Sequence, residues 1–156
     1  MSNYLSEYKD KSILITGGAG CIGSNLTRAL IKAKVAKIII LDDLSATEQW
    51  NIPNAPKVVL VRGSVLDEEV LKRVFSQRFD FVFHLAAHFA NQNSVDHPEI
   101  DLLVNGLGTL KVLECSKLNK AGKFIFASSG SLFMVVRHHF PSKRTLSPFT
   151  LTLPIR

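Results

Sequence analysis

Short apolar runs recur along the chain, and polar or periodic segments separate them. The runs are rich in β-branched and aromatic residues: SILIT at 12–16, KIIIL at 37–41, VVLVR at 58–62, FVFHL at 81–85 and KFIFA at 123–127. Continuous runs of this length are typical of strands buried on both faces, as in a parallel sheet. The pattern therefore predicts five parallel strands.

Between the runs, apolar residues follow a helical period. One stripe comes after the first strand, a second precedes the fourth, and a third runs from Pro98, which suits a first helical turn, to about Lys117. The stripes consist of Ile22, Leu26, Ala29, Leu30 and Ala33; Val70, Leu71, Val74 and Phe75; and Leu103, Leu107 and Leu110. Strands that alternate with helices imply right-handed crossovers and an α/β fold with a doubly wound parallel sheet.

The basic charge is concentrated near the end of the sequence. The chain has 156 residues, 46% of them hydrophobic, and a formal charge of +6. Residues 1–114 hold 12 Lys and Arg against 13 Asp and Glu, whereas residues 115–156 hold 7 basic residues and no acid. Such charges are usually solvated, so we expect no nucleic-acid partner. The alternative, which steep salt dependence would reveal, is binding through Arg137, His138, His139, Lys143 and Arg144.

Composition disfavours several other classes of protein. The longest aliphatic run, residues 38–41, is far shorter than the ~20 residues that span a bilayer, and MSNYLSEYKDK lacks the apolar core of a signal peptide. Cys21 and Cys115 stand alone, without histidines at ligand spacing, so neither a disulfide nor a metal site is indicated. We expect a cytoplasmic protein without a membrane partner.

A glycine-rich string, TGGAGCIG at 16–23, follows the first predicted strand and opens the first predicted helix. In that position glycines let a pyrophosphate approach the main-chain N–H groups at a helix N-terminus. The string fits GxGxxG from Gly18 and GxxGxxG from Gly17, so Gly20 and Gly23 belong to both. Glycines that serve only a tight turn are the alternative.

An acidic residue, Asp42, ends the second predicted strand, 19 residues after Gly23. A carboxylate there accepts hydrogen bonds from an adenosine ribose and repels a 2′-phosphate, which favours NAD over NADP. Asp43 is a candidate for the same role, or a solvated loop acid. The alternative for Asp42 itself is an ordinary turn residue at a strand end.

Five motifs in order, TGGAGCIGS, IIILDDLS, HLAAH, NGLGTLKVLECSK and FIFASSGSLF, resemble those of the extended short-chain dehydrogenase/reductases, in particular the NAD-dependent epimerase/dehydratase branch. The resemblance covers about residues 10–133. It implies the N-terminal portion of a Rossmann-type doubly wound sheet, NAD as the cofactor and, in the complete enzyme, a nucleotide sugar as the substrate.

The resemblance also assigns cofactor contacts residue by residue. The glycine turn would hold the pyrophosphate and Asp42 the adenosine ribose, and the loop after the fourth strand would pass under the adenosine ribose and the nicotinamide half. Many members have an Asp at the position of Ser64, where it meets the adenine amine, so that contact is weaker here. The predicted set is Gly17, Gly20, Cys21, Ile22, Gly23, Asp42, Asp43, Ser64, Val65, Leu85, Ala86, Ala87, His88 and Asn105.

Several of these assignments have structural alternatives. Ala86 and Ala87 also suit plain packing. His88 is a candidate contact to the substrate or the cofactor, and a residue that contacts neither is an equal alternative. Asn105 is polar in an apolar helix, and the resemblance places it near the nicotinamide ribose; a locally bonded Asn on an exposed helix edge is the alternative. His84, within a buried strand, is expected to be a satisfied core histidine.

The family removes a hydride and a hydroxyl proton from a sugar, using the Tyr of a Tyr-x-x-x-Lys pair as the base. A Ser or Thr at the end of the fifth strand assists it; that residue corresponds to Ser129, next to Ser128, unless these serines only satisfy turn backbone. The two tyrosines, Tyr4 and Tyr8, both precede the first predicted strand, so the pair is absent from this chain.

These observations suggest two parts. Residues 1–133 are expected to form an incomplete NAD-binding Rossmann domain. Residues 134–156 show no strand or helix period and are expected to be a divergent tail, disordered or produced by a frameshift soon after Phe133, which the other two reading frames of the DNA would test. We expect this chain alone to be inactive. The preferred interpretation of its function is the cofactor-binding half of an NAD-dependent nucleotide-sugar epimerase or dehydratase, and the alternative is a non-catalytic NAD-binding fragment that lacks the Tyr-x-x-x-Lys pair. A homodimer cannot be inferred for this chain, because the second of the helices that pair in relatives is missing.

Overall fold

The computed structural model describes residues 4–88, 95–127 and 151–154. The described elements, in chain order, are a 3₁₀ helix Tyr4–Tyr8, β1 Ser12–Thr16, α1 Cys21–Lys32, β2 Lys37–Asp42, a 3₁₀ helix Gln49–Asn51, β3 Val58–Arg62, α2 Glu68–Val74, β4 Phe81–His84, α3 Pro98–Asp101, a π-helix Leu102–Gly108, α4 Thr109–Leu118, β5 Lys123–Phe126 and β6 Leu151–Pro154. The five predicted strands are confirmed, with ends that differ by at most one residue.

The strands form one sheet in the order β3-β2-β1-β4-β5-β6. The first five are parallel, which confirms the α/β Rossmann-type doubly wound sheet. Alternate side chains of the buried strands enter two apolar clusters on opposite faces. Leu14, for example, lies in the cluster that includes Leu71 and Val112, whereas Ile13 lies in the cluster that includes Leu30.

Helix α2 begins with a strong side-chain cap. Oδ1 of Asp67 accepts hydrogen bonds from the N–H groups of Glu69 at 2.9 Å and Val70 at 3.1 Å. Acidic residues occupy the first turn and basic residues the last, as the helix dipole favours. The helix therefore starts at a defined point, with its cap three residues beyond Ser64.

The third predicted helix is not uniform. It consists of a turn of α-helix, a π-helical segment and the longer helix α4. Its predicted stripe does not enter the core, since Leu103, Leu107 and Leu110 are all 40% or more exposed, whereas Val112 is fully buried.

The end of the chain differs from the expectation. The pattern of residues 134–156 predicts no strand, yet β6 (Leu151–Pro154) pairs antiparallel with β5. Main-chain pairing satisfies the N–H and C=O groups that β5 would otherwise leave open at the sheet edge, and it does not require a side-chain period. The division of the chain at residue 133 remains a prediction.

Candidate cofactor site

A cleft of about 410 Å³ lies at the carboxyl ends of the parallel strands. The strand order reverses at β1, which has β2 and β3 on one side and β4 and β5 on the other. Ligands of open α/β sheets bind at such a switch point. All the predicted cofactor-binding residues except Asn105 line this cleft. Residues that the sequence did not indicate also line it: Leu41, Ser45, Ala46, Thr47, Gly63, Val104 and Ala127.

Close backbone packing explains the glycine turn. Gly17 has φ +69°, and a β-carbon there would lie 2.6 Å from the Ala86 nitrogen. A β-carbon on Gly23 would lie 2.5 Å from the Gly17 carbonyl oxygen. Gly18, in contrast, faces Ile40 and does not line the cleft. The spacing that faces the cleft is therefore Gly17, Gly20 and Gly23.

Helix α1 points its N-terminus into the cleft. Its cap, Gly20, has extended backbone and offers no side-chain hydrogen bond. The N–H groups of a first helical turn have no acceptor within the helix, so Cys21, Ile22 and Gly23 present donors together with the positive end of the helix dipole. Ile22 is 70% exposed, and Cys21 is an exposed free thiol. This end of the cleft suits an anionic group.

Asp42 is a buried carboxylate beside that turn. Its Oδ2 accepts a hydrogen bond from the Ala19 N–H at 2.9 Å, and its Oδ1 accepts from the Leu44 N–H at 2.9 Å. The Thr47 hydroxyl donates a longer bond of 3.4 Å to Oδ1. A carboxylate has about four acceptor positions, so capacity remains for a ligand hydroxyl. Asp43 is exposed and accepts from the Ser45 N–H, an arrangement typical of an Asx turn.

The wall at the end of β3 is formed by Ser64 and Val65. The Ser64 hydroxyl oxygen accepts a hydrogen bond from the Leu66 N–H at 3.2 Å, which shapes the turn before α2. Val65 is 4% exposed and packs so closely on the π-helix that a β-carbon on Gly108 would lie 2.7 Å from it. Gly108 therefore brings the helix against this wall.

The loop of residues 85–88 forms the opposite part of the cleft, next to Ala127 at the end of β5. Its start is bonded to β1, because the Leu85 N–H donates to the Thr16 carbonyl at 3.0 Å. At its end, the His88 N–H donates to Oδ1 of Asn105 at 2.8 Å, and Nδ2 of Asn105 donates to the His88 carbonyl at 3.1 Å. Asn105 thus holds this loop from outside the cleft.

Two histidines lie near this loop in different environments. His84 is 1% exposed, and burial lowers the pKa of its imidazole from 6.5 to about 4. Both of its ring nitrogens are hydrogen-bonded, which confirms the expected core histidine. Nε2 of His88, a residue that lines the cleft, is buried without a hydrogen-bond partner among the described residues.

Three further predictions concern a catalytic serine, a metal site and a membrane-spanning helix. Ser129, the predicted catalytic serine, lies outside the described residues. Within residues 4–88, 95–127 and 151–154, no group of three or more His, Cys, Asp or Glu side chains is arranged to hold a metal ion. In the same part of the chain, no helix is long and apolar enough to cross a membrane.

The fold and the cleft define a dinucleotide-binding α/β domain. The sequence pattern of the NAD dependent epimerase/dehydratase family matches residues 13–152, and the chain belongs to this family. That membership confirms the resemblance and the expectation of NAD as the family's cofactor. The matched range extends past residue 133 and includes part of β6.

Individual relatives agree with this assignment. The chain is 34% identical over 120 residues to UDP-glucose 4-epimerase of Mycolicibacterium smegmatis, covering 75% of this chain and 38% of the relative. An epimerase structure from Methanothermobacter thermautotrophicus has a TM-score of 0.78 and 60% identity, with 81% of this chain and 37% of that one covered. The Bordetella bronchiseptica enzyme WbmF in complex with NAD⁺ has a TM-score of 0.74 and 31% identity, with 87% and 42% covered. The chain therefore spans less than half the length of each of these relatives.

Proposed function

We propose that the cleft of this chain binds NAD as the cofactor site of a nucleotide-sugar epimerase or dehydratase. The observation that carries the proposal is the junction between Asp42 and the glycine turn, where a buried carboxylate lies beside an uncapped helix N-terminus. A dinucleotide offers the two groups that such a junction recognises, a ribose diol and a pyrophosphate.

The order of the strands gives the direction in which the dinucleotide would lie. The adenine end would be near Ser64 on β3 and the adenosine ribose near Asp42 on β2. The pyrophosphate would face Gly20 and Cys21 after β1. The nicotinamide half would lie over the 85–88 loop and Ala127, which follow β4 and β5. NAD, when bound, supplies the acceptor for a hydride removed from a sugar carbon.

The residues of the chain fit this group. A β-carbon on Gly17 or Gly23 would collide with backbone, so the turn keeps the open backbone surface that a pyrophosphate needs. The negative charge of Asp42 disfavours a 2′-phosphate at the adenosine ribose. Nε2 of His88 has no hydrogen-bond partner in the part of the chain that the structure describes, and this leaves one buried polar atom of the cleft available to the nicotinamide half or to the substrate.

Calorimetric titration with NAD⁺ and NADP⁺ tests the cofactor. We expect NAD⁺ to bind at least about tenfold more tightly, a difference of ~1.4 kcal/mol. Preferential binding of NADP⁺ would contradict the role of Asp42, and binding of neither would refute the proposed function. ADP is the control, because it carries the adenosine and pyrophosphate groups without the nicotinamide half.

The substrate belongs to the proposal for the whole protein. We propose a nucleotide sugar, as the name of the UDP-glucose 4-epimerase relative indicates, with the Ser129 hydroxyl bonded to the reacting sugar hydroxyl. The chain contains no Tyr-x-x-x-Lys pair, so we expect no turnover by this polypeptide alone. Chromatography of UDP-glucose or dTDP-glucose after incubation with the chain and NAD⁺ tests this, and product formation would overturn the expectation.

Assembly and cellular location also remain proposals. The exposed leucines Leu103, Leu107 and Leu110 support a homodimer that covers this helix surface. Light scattering after size-exclusion chromatography should then give twice the chain mass, and L107E should halve it; a monomeric wild type would refute the dimer. Two free thiols, Cys21 and Cys115, support a reducing, cytoplasmic compartment, which cell fractionation checks.

A further inference from the structure

A continuous series of hydrogen bonds runs behind the 85–88 loop and joins β1, β4 and α4. The Ala86 N–H donates to Oγ1 of Thr16 at 3.3 Å, and that hydroxyl lies 2.7 Å from Nδ1 of His84. On the other side of the ring, Nε2 of His84 lies 2.9 Å from Oγ1 of Thr109. The Thr109 hydroxyl donates to the Asn105 carbonyl at 2.7 Å.

The hydrogen bonds and the burial of His84 together define one arrangement of protons. A carbonyl only accepts, so the Thr109 hydroxyl hydrogen is directed to Asn105, and Nε2 of His84 must donate to Thr109. The Thr16 hydroxyl oxygen, which has two lone pairs, accepts from the Ala86 N–H and can either donate to Nδ1 or accept from it. Burial, which lowers the pKa of His84 to about 4, selects the neutral ring at pH 7, with its proton on Nε2 and the Thr16 hydroxyl donating to Nδ1.

Both ends of the series hold the same cleft loop. One end is bonded to the nitrogen of Ala86, and the other reaches Asn105, whose side chain binds both the N–H and the carbonyl of His88. Asn105 lies within the π-helix Leu102–Gly108, and π-helical turns occur frequently at functional sites. His84 is thus the central group between the two anchors of the loop.

We propose that His84, through Thr16 and Thr109, is a positioning residue that holds the 85–88 loop in the conformation required by the nicotinamide half of the bound dinucleotide. This inference rests on the proposed NAD function. The adenosine side is held separately, since the Asp42 carboxylate bonds Ala19, Leu44 and Thr47 and shares no hydrogen bond with the series. Disruption of this series of hydrogen bonds should therefore lower the affinity for NAD⁺ and leave the affinity for ADP unchanged.

A matched pair of variants at Thr109 tests the proposal. T109V keeps the shape of the side chain but removes the acceptor for His84 and the donor to Asn105, whereas T109S keeps the hydroxyl. Calorimetry should show a loss of about tenfold in NAD⁺ affinity for T109V with ADP affinity changed less than about twofold, and wild-type behaviour for T109S. Equal losses for both ligands, or no loss, would overturn the proposal.

A second pair keeps the test independent of the folding of T109V. T16V removes the group that joins Ala86 to Nδ1 of His84, T16S retains it, and the same ratio of NAD⁺ to ADP affinity is measured.

Nitrogen-15 NMR of the imidazoles should show His84 neutral with the proton on Nε2 in the wild type. The opposite tautomer, or a charged ring at pH 7, would contradict the proton assignment.

The outcomes separate this inference from the function on which it rests. Binding of neither NAD⁺ nor ADP by the wild-type chain would refute the cofactor site and the inference with it. Wild-type binding of NAD⁺, together with unchanged NAD⁺ to ADP ratios in T109V and T16V, would refute the positioning role alone.

Discussion

The Ala19 N–H donates a hydrogen bond of 2.9 Å to Oδ2 of Asp42, and this bond joins the glycine-rich turn to the end of β2. The same carboxylate lines the cleft, so it both shapes the turn and faces the expected ribose. Its second oxygen closes the following loop through Leu44, which has φ 62°. One side chain therefore connects three segments of the cofactor site.

Replacement of Asp42 and of Asp43, one at a time, should separate the roles of the two neighbouring carboxylates. In D42N the amide group brings a donor against the N–H of Ala19 or Leu44, which should lower the free energy of unfolding by about 1–3 kcal/mol. NAD⁺ affinity should fall about tenfold and the preference over NADP⁺ should narrow. D43N is the control, because its Asx turn survives and a surface change costs less than about 0.5 kcal/mol. Equal effects of both variants would contradict this account.

Gly17 should tolerate no side chain. In G17A, a residue at φ +69° would carry a β-carbon 2.6 Å from the Ala86 nitrogen, so both strain and collision with backbone oppose folding. We expect urea unfolding to show a loss of more than about 2 kcal/mol, with NAD⁺ binding abolished. In the control G106A, the new carbon meets only the flexible end of Leu102 at 3.3 Å. That variant should remain within about 1 kcal/mol of wild type.

The stability of the domain should depend on the protonation of His84. The pKa of the buried ring is about 4 against 6.5 when unfolded, so the unfolded state binds the proton first as the pH falls. The stability contributed by the neutral ring is fully present above about pH 6.5 and is lost progressively as the pH falls toward 4. At pH 4 the loss amounts to roughly 3 kcal/mol.

Denaturant unfolding between pH 7.5 and pH 4 measures this effect. H84Q lacks the titrating ring, so its stability should fall less steeply with acid than that of the wild type, while the remaining titratable groups act alike in both. Parallel pH profiles for the two proteins would show that His84 is not the responsible group.

The two thiols should report occupancy of the cleft. Cys21 is exposed at the N-terminus of α1 and lines the cleft, whereas Cys115 is half-buried, and burial raises the pKa of its thiol. N-ethylmaleimide should therefore react first with Cys21, and NAD⁺ at ten times its Kd should slow that reaction about tenfold. In C21S the slower labelling of Cys115 should not respond to NAD⁺. Unprotected Cys21 at saturating NAD⁺ would place the ligand elsewhere.

The strands and the main parts of the cleft could be predicted from the sequence because the patterns that indicate them are local. Runs such as KIIIL occur where a strand is buried on both faces, and the positions of Gly17 and Asp42 relative to β1 and β2 follow from the chain order. The sequence could not distinguish Gly17 from Gly18 as the first glycine of the motif. It depends on which β-carbon would meet Ala86, a residue almost seventy positions further along the chain.

Local sequence patterns predicted the alternation of strands and helices, the glycine turn, the acid at the end of β2 and the family, since each depends on residues close together in the chain. The three-dimensional structure was needed to show how Thr16, His84 and Thr109 share their protons, that Asn105 holds the 85–88 loop instead of lining the cleft, and that β6 pairs with β5. These features arise from hydrogen bonds between segments far apart in the chain, and such contacts leave no periodic pattern in the sequence.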